Sequence, residues 1–248
     1  MKFVYFFSLL LFFSGVKPIE VISIDDCPKL TPRFQRSVSV DDLRIDDIEV
    51  IAALGDSITA GMLAKNINTT YVARDQIIEY RGVSWFMGGD PDAPSVAKYV
   101  KHFNADVYGA SIGQKPARLC QETFFCLNAH HDPEIDVLNA AQSGATSQEL
   151  SEQVDYLTEY LGEGTSLANK WKLINIFIGS NDVSVSCLPG KNIDTFKKNM
   201  KSTIEKLIDN IDYTFINLVG LSQNSELMNL VQRQALLSKI KSNYIIKL

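Results

Sequence analysis

Ile48-Glu49-Val50-Ile51-Ala52-Ala53-Leu54-Gly55-Asp56-Ser57-Ile58-Thr59-Ala60-Gly61 is the stretch whose reading decides the fold. Residues 48–54 form a short apolar run closed by a glycine, which predicts a buried strand. Asp56, Ser57 and Thr59 are helix-start residue types. A strand therefore turns into a helix within a few residues, with Ser57 on the turn. Four further apolar runs lie outward of it, at 105–110, 135–140, 173–178 (ended by Gly179) and 213–219 (ended by Gly220). Helical patterns lie between them at 93–103, 146–161 and 193–211. The second places Leu150, Val154, Leu157 and Leu161 on one face; the third does the same with Phe196, Met200, Ile204, Leu207 and Ile211. Strands alternating with helices predict an α/β domain over 47–248, with a parallel sheet of about five strands covered on both sides.

The chain has 248 residues, of which 46% are hydrophobic and 21% charged, enough for one domain with a sizeable core. Its formal net charge of −5 gives no argument for nucleic-acid binding. Met1-Lys2 is followed by an apolar run over 3–13, broken only by Ser8, and then by the small residues Ser14 and Gly15. That order reads as a secretory signal peptide over 1–16 and predicts a secreted protein. The run is too short to span a bilayer, and no transmembrane anchor is expected elsewhere. Residues 17–46, with Pro18, Pro28 and Pro32, read as an extended lead-in.

In an oxidising compartment, Cys27, Cys120, Cys126 and Cys187 form an even set. The close spacing of Cys120 and Cys126 favours their pairing, which leaves Cys27 with Cys187. No Cys-x-x-Cys pair or histidine spacing supports a metal site. Asn68-Thr69-Thr70 is an N-glycosylation sequon.

Sites in open parallel sheets form beyond the carboxyl ends of the strands. Four segments fall there: Gly55-Asp56-Ser57, Asn139-Ala140-Ala141-Gln142-Ser143-Gly144, Gly179-Ser180-Asn181-Asp182 and Gly220. The set suits acyl transfer. A serine on a tight strand-to-helix turn is exposed beside backbone N–H groups, a glycine N–H can approach an oxyanion closely, and an asparagine amide can donate a further hydrogen bond. A nucleotide site is disfavoured, since no Gly-x-Gly-x-x-Gly and no Gly-Lys-Ser/Thr follows a strand.

Leu54-Gly55-Asp56-Ser57-Ile58-Thr59-Ala60-Gly61, Asn139 to Gly144, and Gly179-x-Asn181-Asp182 resemble, in order, three blocks of the GDSL (SGNH) hydrolases. Tyr80-Arg81-Gly82-Val83-Ser84-Trp85 with Gly88-Gly89-Asp90, and residues 171–182, resemble the phospholipase B branch of that family. The resemblance runs from about Asp41 to about Gly220. It implies a three-layer α/β/α flavodoxin-like fold and a serine ester hydrolase with Ser57 as nucleophile. The oxyanion hole would be formed by the Ser57 N–H, the Gly144 N–H and the Asn181 side chain. It also implies phospholipid, lysophospholipid or other lipid ester substrates, transient contact with a membrane surface, and no cofactor. Asp56 and Asp182 read as turn-fixing residues.

The family supplies its general base as Asp-x-x-His after the fifth strand. This sequence holds only His102, His130 and His131, none after that strand, and no Asp-x-x-His. All three lead into strands, which places them at the amino edge, about 17–20 Å from the site. Residues 225–248 read as a helix, and the carboxyl-terminal catalytic block is expected to be missing. The expectation is therefore an impaired hydrolase; the alternative is a non-catalytic secreted module that binds lipids or esters.

Overall fold

The computed structural model describes residues 23–65, 77–117 and 131–221. The signal peptide, Asn68, Cys120, Cys126, His130 and the helix expected over 225–248 lie outside the described residues. The elements are β1 (Val50–Gly55), α1 (Ser57–Ala60), β2 (Ile78–Glu79), α2 (Val96–Phe103), β3 (Lys115–Pro116), α3 (Leu150–Leu161), β4 (Lys172–Phe177), α4 (Ser180–Ser184), α5 (Ile193–Asn210) and β5 (Thr214–Leu218). Together they form an α/β fold.

The main sheet is parallel, in the order β1-β4-β5. Gly55 sits opposite Phe177, and Ile176 opposite Leu218, so the carboxyl ends of the three strands form one edge. Every residue of β1 is buried, as a continuous apolar run in a parallel sheet requires. α3 packs on β1 and on α5, and buries Leu150, Val154, Leu157 and Leu161. β2 and β3 form a two-residue antiparallel ribbon apart from the main sheet.

Among the described residues this sheet has three strands, where the sequence predicted about five. The runs over 105–110 and 135–140 reduce to single parallel bridges, Tyr108 to Val50 and Asn139 to Ala53. Backbone geometry stops each of them. Gly109 has φ +125° and Val137 has φ +54°, so neither run can stay extended. Residues 132–136 close a turn instead, in which the Asp132 N–H donates to Asp136 Oδ2 at 2.8 Å and the Ile135 N–H to Asp132 O at 3.0 Å.

The expected Cys27–Cys187 disulfide is not formed, and both thiols are free. Cys27 follows a 3₁₀ turn (Ile24–Asp26), and its carbonyl meets His102 Nε2 at 3.0 Å. His102 lies near the end of α2, where Asn104 donates to the carbonyl of Ile48, just ahead of β1. Cys187 follows α4, beyond the carboxyl end of β4. The two cysteines therefore sit toward opposite edges of the sheet, whereas a disulfide needs Cα atoms within about 7 Å. No helix among the described residues is long and apolar enough to cross a membrane.

Candidate active site

Asp56 makes the turn that presents Ser57. Its extended backbone ends β1, and its Oδ1 accepts the Ile58 N–H at 2.9 Å, which caps α1. Gly61 closes that one-turn helix in the left-handed region, with φ +73°. Ser57 is half-buried and Ile58 exposed, so the serine sits at the surface of the carboxyl edge. Gly55 has no space for a side chain: a Cβ would lie 2.6 Å from both Phe177 O and Thr59 Oγ1.

The second loop is hydrogen-bonded onto the first. The Gln142 N–H donates to Gly55 O at 3.1 Å, and Asn139 Nδ2 donates to Thr59 O at 3.0 Å. Gly144 has φ +87°, a conformation that favours glycine, and its N–H has no acceptor among the described residues. The third loop joins the second. Asn181 Nδ2 donates to Ala145 O at 2.7 Å, which places its amide beside Gly144 with one N–H still to give. Asp182 accepts the Ser147 N–H at 2.9 and 3.1 Å and the Ser147 hydroxyl at 2.6 Å. Segments from three separate parts of the chain are thus bonded to one another at the edge of the sheet that carries Ser57.

An apolar cavity of about 170 Å³ lies beside the third loop, lined by Gly179, Asp182, Val183, Ile193, Phe196 and Leu221 among others. Among the described residues no group of three or more His, Cys, Asp or Glu is placed to hold a metal ion.

Neither described histidine bonds to Ser57. His102 lies at the amino edge, as expected from sequence. His131 does not. Because 132–136 turns rather than extends, His131 reaches the back of the second loop, with its Nε2 3.4 Å from Gln142 Nε2. Its ring stacks on Tyr156 at 3.8 Å, and its Nδ1 is 3.9 Å from Asp136 Oδ2. Burial pulls its pKa down to about 4, against the opposing pull of Asp136, so the ring is neutral at physiological pH.

Two buried polar residues do work that the sequence did not announce. Gln153 of α3 clamps the end of β1: it accepts the Gly55 N–H at 2.8 Å and donates to Gly55 O at 2.9 Å. Its signal was available, since Gln153 is three residues after Leu150 and four before Leu157, a polar side chain on the core face of the helix. Arg81, 2% exposed, pairs with Glu79 at 2.7 Å and donates to Asn139 O and Ala141 O at 3.1 and 2.8 Å. Nothing in the sequence marks an arginine between Tyr80 and Gly82 as buried.

A GDSL-like lipase/acylhydrolase family model matches residues 51–244, which takes in all three loops. The chain belongs to the GDSL-like lipase/acylhydrolase family. It is 30% identical over 211 residues to the membrane-associated phospholipase B1 of Rattus norvegicus, covering 82% of this chain and 13% of that protein. The Homo sapiens phospholipase B1 is 32% identical over 215 residues (84% and 14%), and the Mus musculus protein 28% over 227 residues (87% and 14%). The chain thus spans about 13–14% of the length of these curated relatives. No solved structure gives a significant match.

One property of this GDSL-family site follows from electrostatics. Burial, with a smaller contribution from the nearby Asp182 charge, raises the Asp56 carboxyl from 3.8 to about 6, although the Ile58 N–H opposes the shift. Folded chains therefore bind more protons than unfolded ones between those values. The contribution of Asp56 to stability is complete below pH 3.8 and lost as pH rises through 6. Asp56→Asn keeps the cap acceptor and removes the charge. It is expected to stabilise the fold at pH 7.5 by of order 2 kcal/mol, with the gain shrinking as pH falls below about 6 and gone below pH 3.8. Thermal melts of both proteins at the two pH values check this, and an equal difference at both would sink it.

Proposed function

We propose that this chain carries a serine ester hydrolase site for lipid esters, with Ser57 as nucleophile and an oxyanion hole made by the Ser57 N–H, the Gly144 N–H and the Asn181 amide. The observation that carries the reading is the Asn181–Ala145 hydrogen bond at 2.7 Å, because it sets a side-chain donor beside the Gly144 N–H. The Ser57 oxygen attacks the ester carbonyl, and the carbonyl π electrons move to the oxyanion. Collapse expels the alcohol, which takes up the proton the serine gave. Water then cleaves the acyl-serine, releasing the carboxylic acid and restoring the hydroxyl. One oxyanion donor is worth roughly 3–4 kcal/mol to such a transition state. The apolar cavity beside the third loop, lined by Gly179 and Asp182, has room for part of an acyl chain, and the phospholipase B relatives support lipid esters as the substrate class. The pattern over residues 1–15 supports action outside the cell, with transient contact at a membrane surface.

Turnover is expected to be slow, because neither described histidine bonds to Ser57 and no Asp-x-x-His occurs in the 248 residues. Without a base, the oxyanion hole and binding still leave roughly 10³–10⁴-fold over water. Incubating the full chain with p-nitrophenyl butyrate and with lysophosphatidylcholine tests both parts. Slow product release with an acyl adduct mapped to Ser57, and none in Ser57→Ala, is the expected result. An adduct elsewhere, or equal release by Ser57→Ala, overturns the assignment. Fast turnover with a pH profile titrating near 6.5, the ordinary histidine value, overturns the missing base. Saturable lysophospholipid binding with no adduct favours a binding module instead.

A further inference from the structure

The guanidinium of Arg81 lies beneath the loop that carries Gly144, and the catalytic scheme gives it no task. It cannot touch a substrate, since it is 2% exposed. Its Nη1 donates to Asn139 O at 3.1 Å and its Nη2 to Ala141 O at 2.8 Å. Nε and Nη2 both reach Glu79 Oε2, at 2.9 and 2.7 Å, and Nε lies 3.3 Å from Asp136 Oδ1. The other oxygen of Glu79 accepts the Ser143 hydroxyl at 2.5 Å.

The loop is therefore gripped from two sides. Residues 139, 141 and 143 are held through Arg81 and Glu79. Gln142, between them, is held by Gly55 O on β1. Gly144 is the next residue along. The same cluster also reaches α1, because the Asn139 side chain and the Ser84 hydroxyl both donate to Thr59 O, at 3.0 and 2.7 Å. One set of bonds thus fixes the spacing between the helix that presents Ser57 and the N–H of Gly144.

We propose that Arg81 is a positioning residue for the oxyanion hole: locked between Glu79 and Asp136, it sets the height of the 139–144 loop and so aims the Gly144 N–H at the developing oxyanion. This inference rests on the hydrolase reading given above. Arginine is required because a planar fork spans two carbonyls and a carboxylate at once, whereas the ammonium of lysine acts from a single point. A displacement of about 1 Å in such a donor costs about 10²-fold in rate.

Single-turnover release of p-nitrophenol from p-nitrophenyl butyrate by the full chain tests this, with rates normalised to the folded fraction seen by far-UV circular dichroism. In Arg81→Lys the maximal rate of Ser57 acylation is expected to fall about 10²-fold, with half-saturation moving less than about twofold. A support that only held the fold together would leave the normalised rate unchanged. If Arg81→Lys does not fold, Ser143→Ala decides. It removes one hydroxyl from Glu79 and is expected to slow acylation about tenfold at unchanged half-saturation. A normalised rate equal to that of the wild type in the deciding variant overturns the role of Arg81 and leaves the hydrolase reading standing. A wild-type chain that forms no acyl-Ser57 removes that reading, and this inference with it.

Discussion

Arg81→Met is expected to destabilise the folded chain by about 3–5 kcal/mol, the range for leaving buried charge uncompensated. The side chains of Arg81 and Glu79 are 2% and 3% exposed and that of Asp136 is fully buried. Removing the guanidinium leaves Glu79, among the described residues, with the Ser143 hydroxyl alone, and takes from the Asn139 and Ala141 carbonyls the donor they share. Asp136 keeps Lys115 at 2.5 Å, so Glu79 carries most of the penalty. The double substitution Glu79→Leu with Arg81→Met therefore costs less than the sum of the two single ones, since the second removes the charge the first exposed. Urea unfolding at neutral pH measures all three. A loss under about 1 kcal/mol for Arg81→Met would mean that water reaches Glu79 and that the cluster is not sealed.

That cluster also marks where sequence reading stops. β1 and β4 were legible because parallel strands buried on both faces are continuous apolar runs ended by glycine, as at Leu54-Gly55 and Ile178-Gly179; β5, whose residues are half-buried or exposed, was legible as an apolar run ended by Gly220. α3 and α5 were legible from their 3.6-residue periodicity. The three site loops were legible because strand ends in such a sheet share one edge. The contacts between those loops were not. Arg81 is grouped with solvent by any pattern based on hydropathy, and its burial depends on Glu79, Asp136 and two carbonyls far away in sequence. The strands expected at 105–110 and 135–140 failed for a different reason. Their apolar composition is correct for the core, but hydropathy does not report φ. Val137 is the sharper case, because a β-branched residue at φ +54° is disfavoured locally. The Tyr156 hydroxyl, donating to Val137 O at 2.7 Å, helps hold it there. The same turn brought His131 to the back of the second loop, where extended geometry had put it at the far edge.

Gly109→Ala is expected to cost about 4 kcal/mol, from backbone strain and steric overlap together. Gly109 passes β1 at closest approach: a Cβ there would lie 1.9 Å from Ile51 O and 3.2 Å from Leu138 Cδ1. The neighbours cannot yield easily. Tyr108 O accepts the Ile51 N–H at 2.8 Å, and the Tyr108 N–H donates to Glu49 O at 2.9 Å. Ile51 itself is fully buried in β1. Relief therefore moves residues 108–110 away from β1 and carries Leu138 with them. Leu138 O accepts the Ala53 N–H at 3.1 Å, and the Ala140 N–H donates to Ala53 O at 2.8 Å, so the start of the Gly144 loop shifts as well. Gly164→Ala separates strain from overlap, because Gly164 has φ +84° with nothing within 4 Å of a Cβ. It is expected to cost only about 1–2 kcal/mol, the left-handed penalty alone. Urea midpoints of the two variants decide the matter. Equal losses would mean that β1 tolerates the extra carbon and that the sheet does not constrain Gly109. A larger loss at Gly109, with slower acylation of Ser57 in whatever remains folded, would tie the packing of β1 to the geometry of the site.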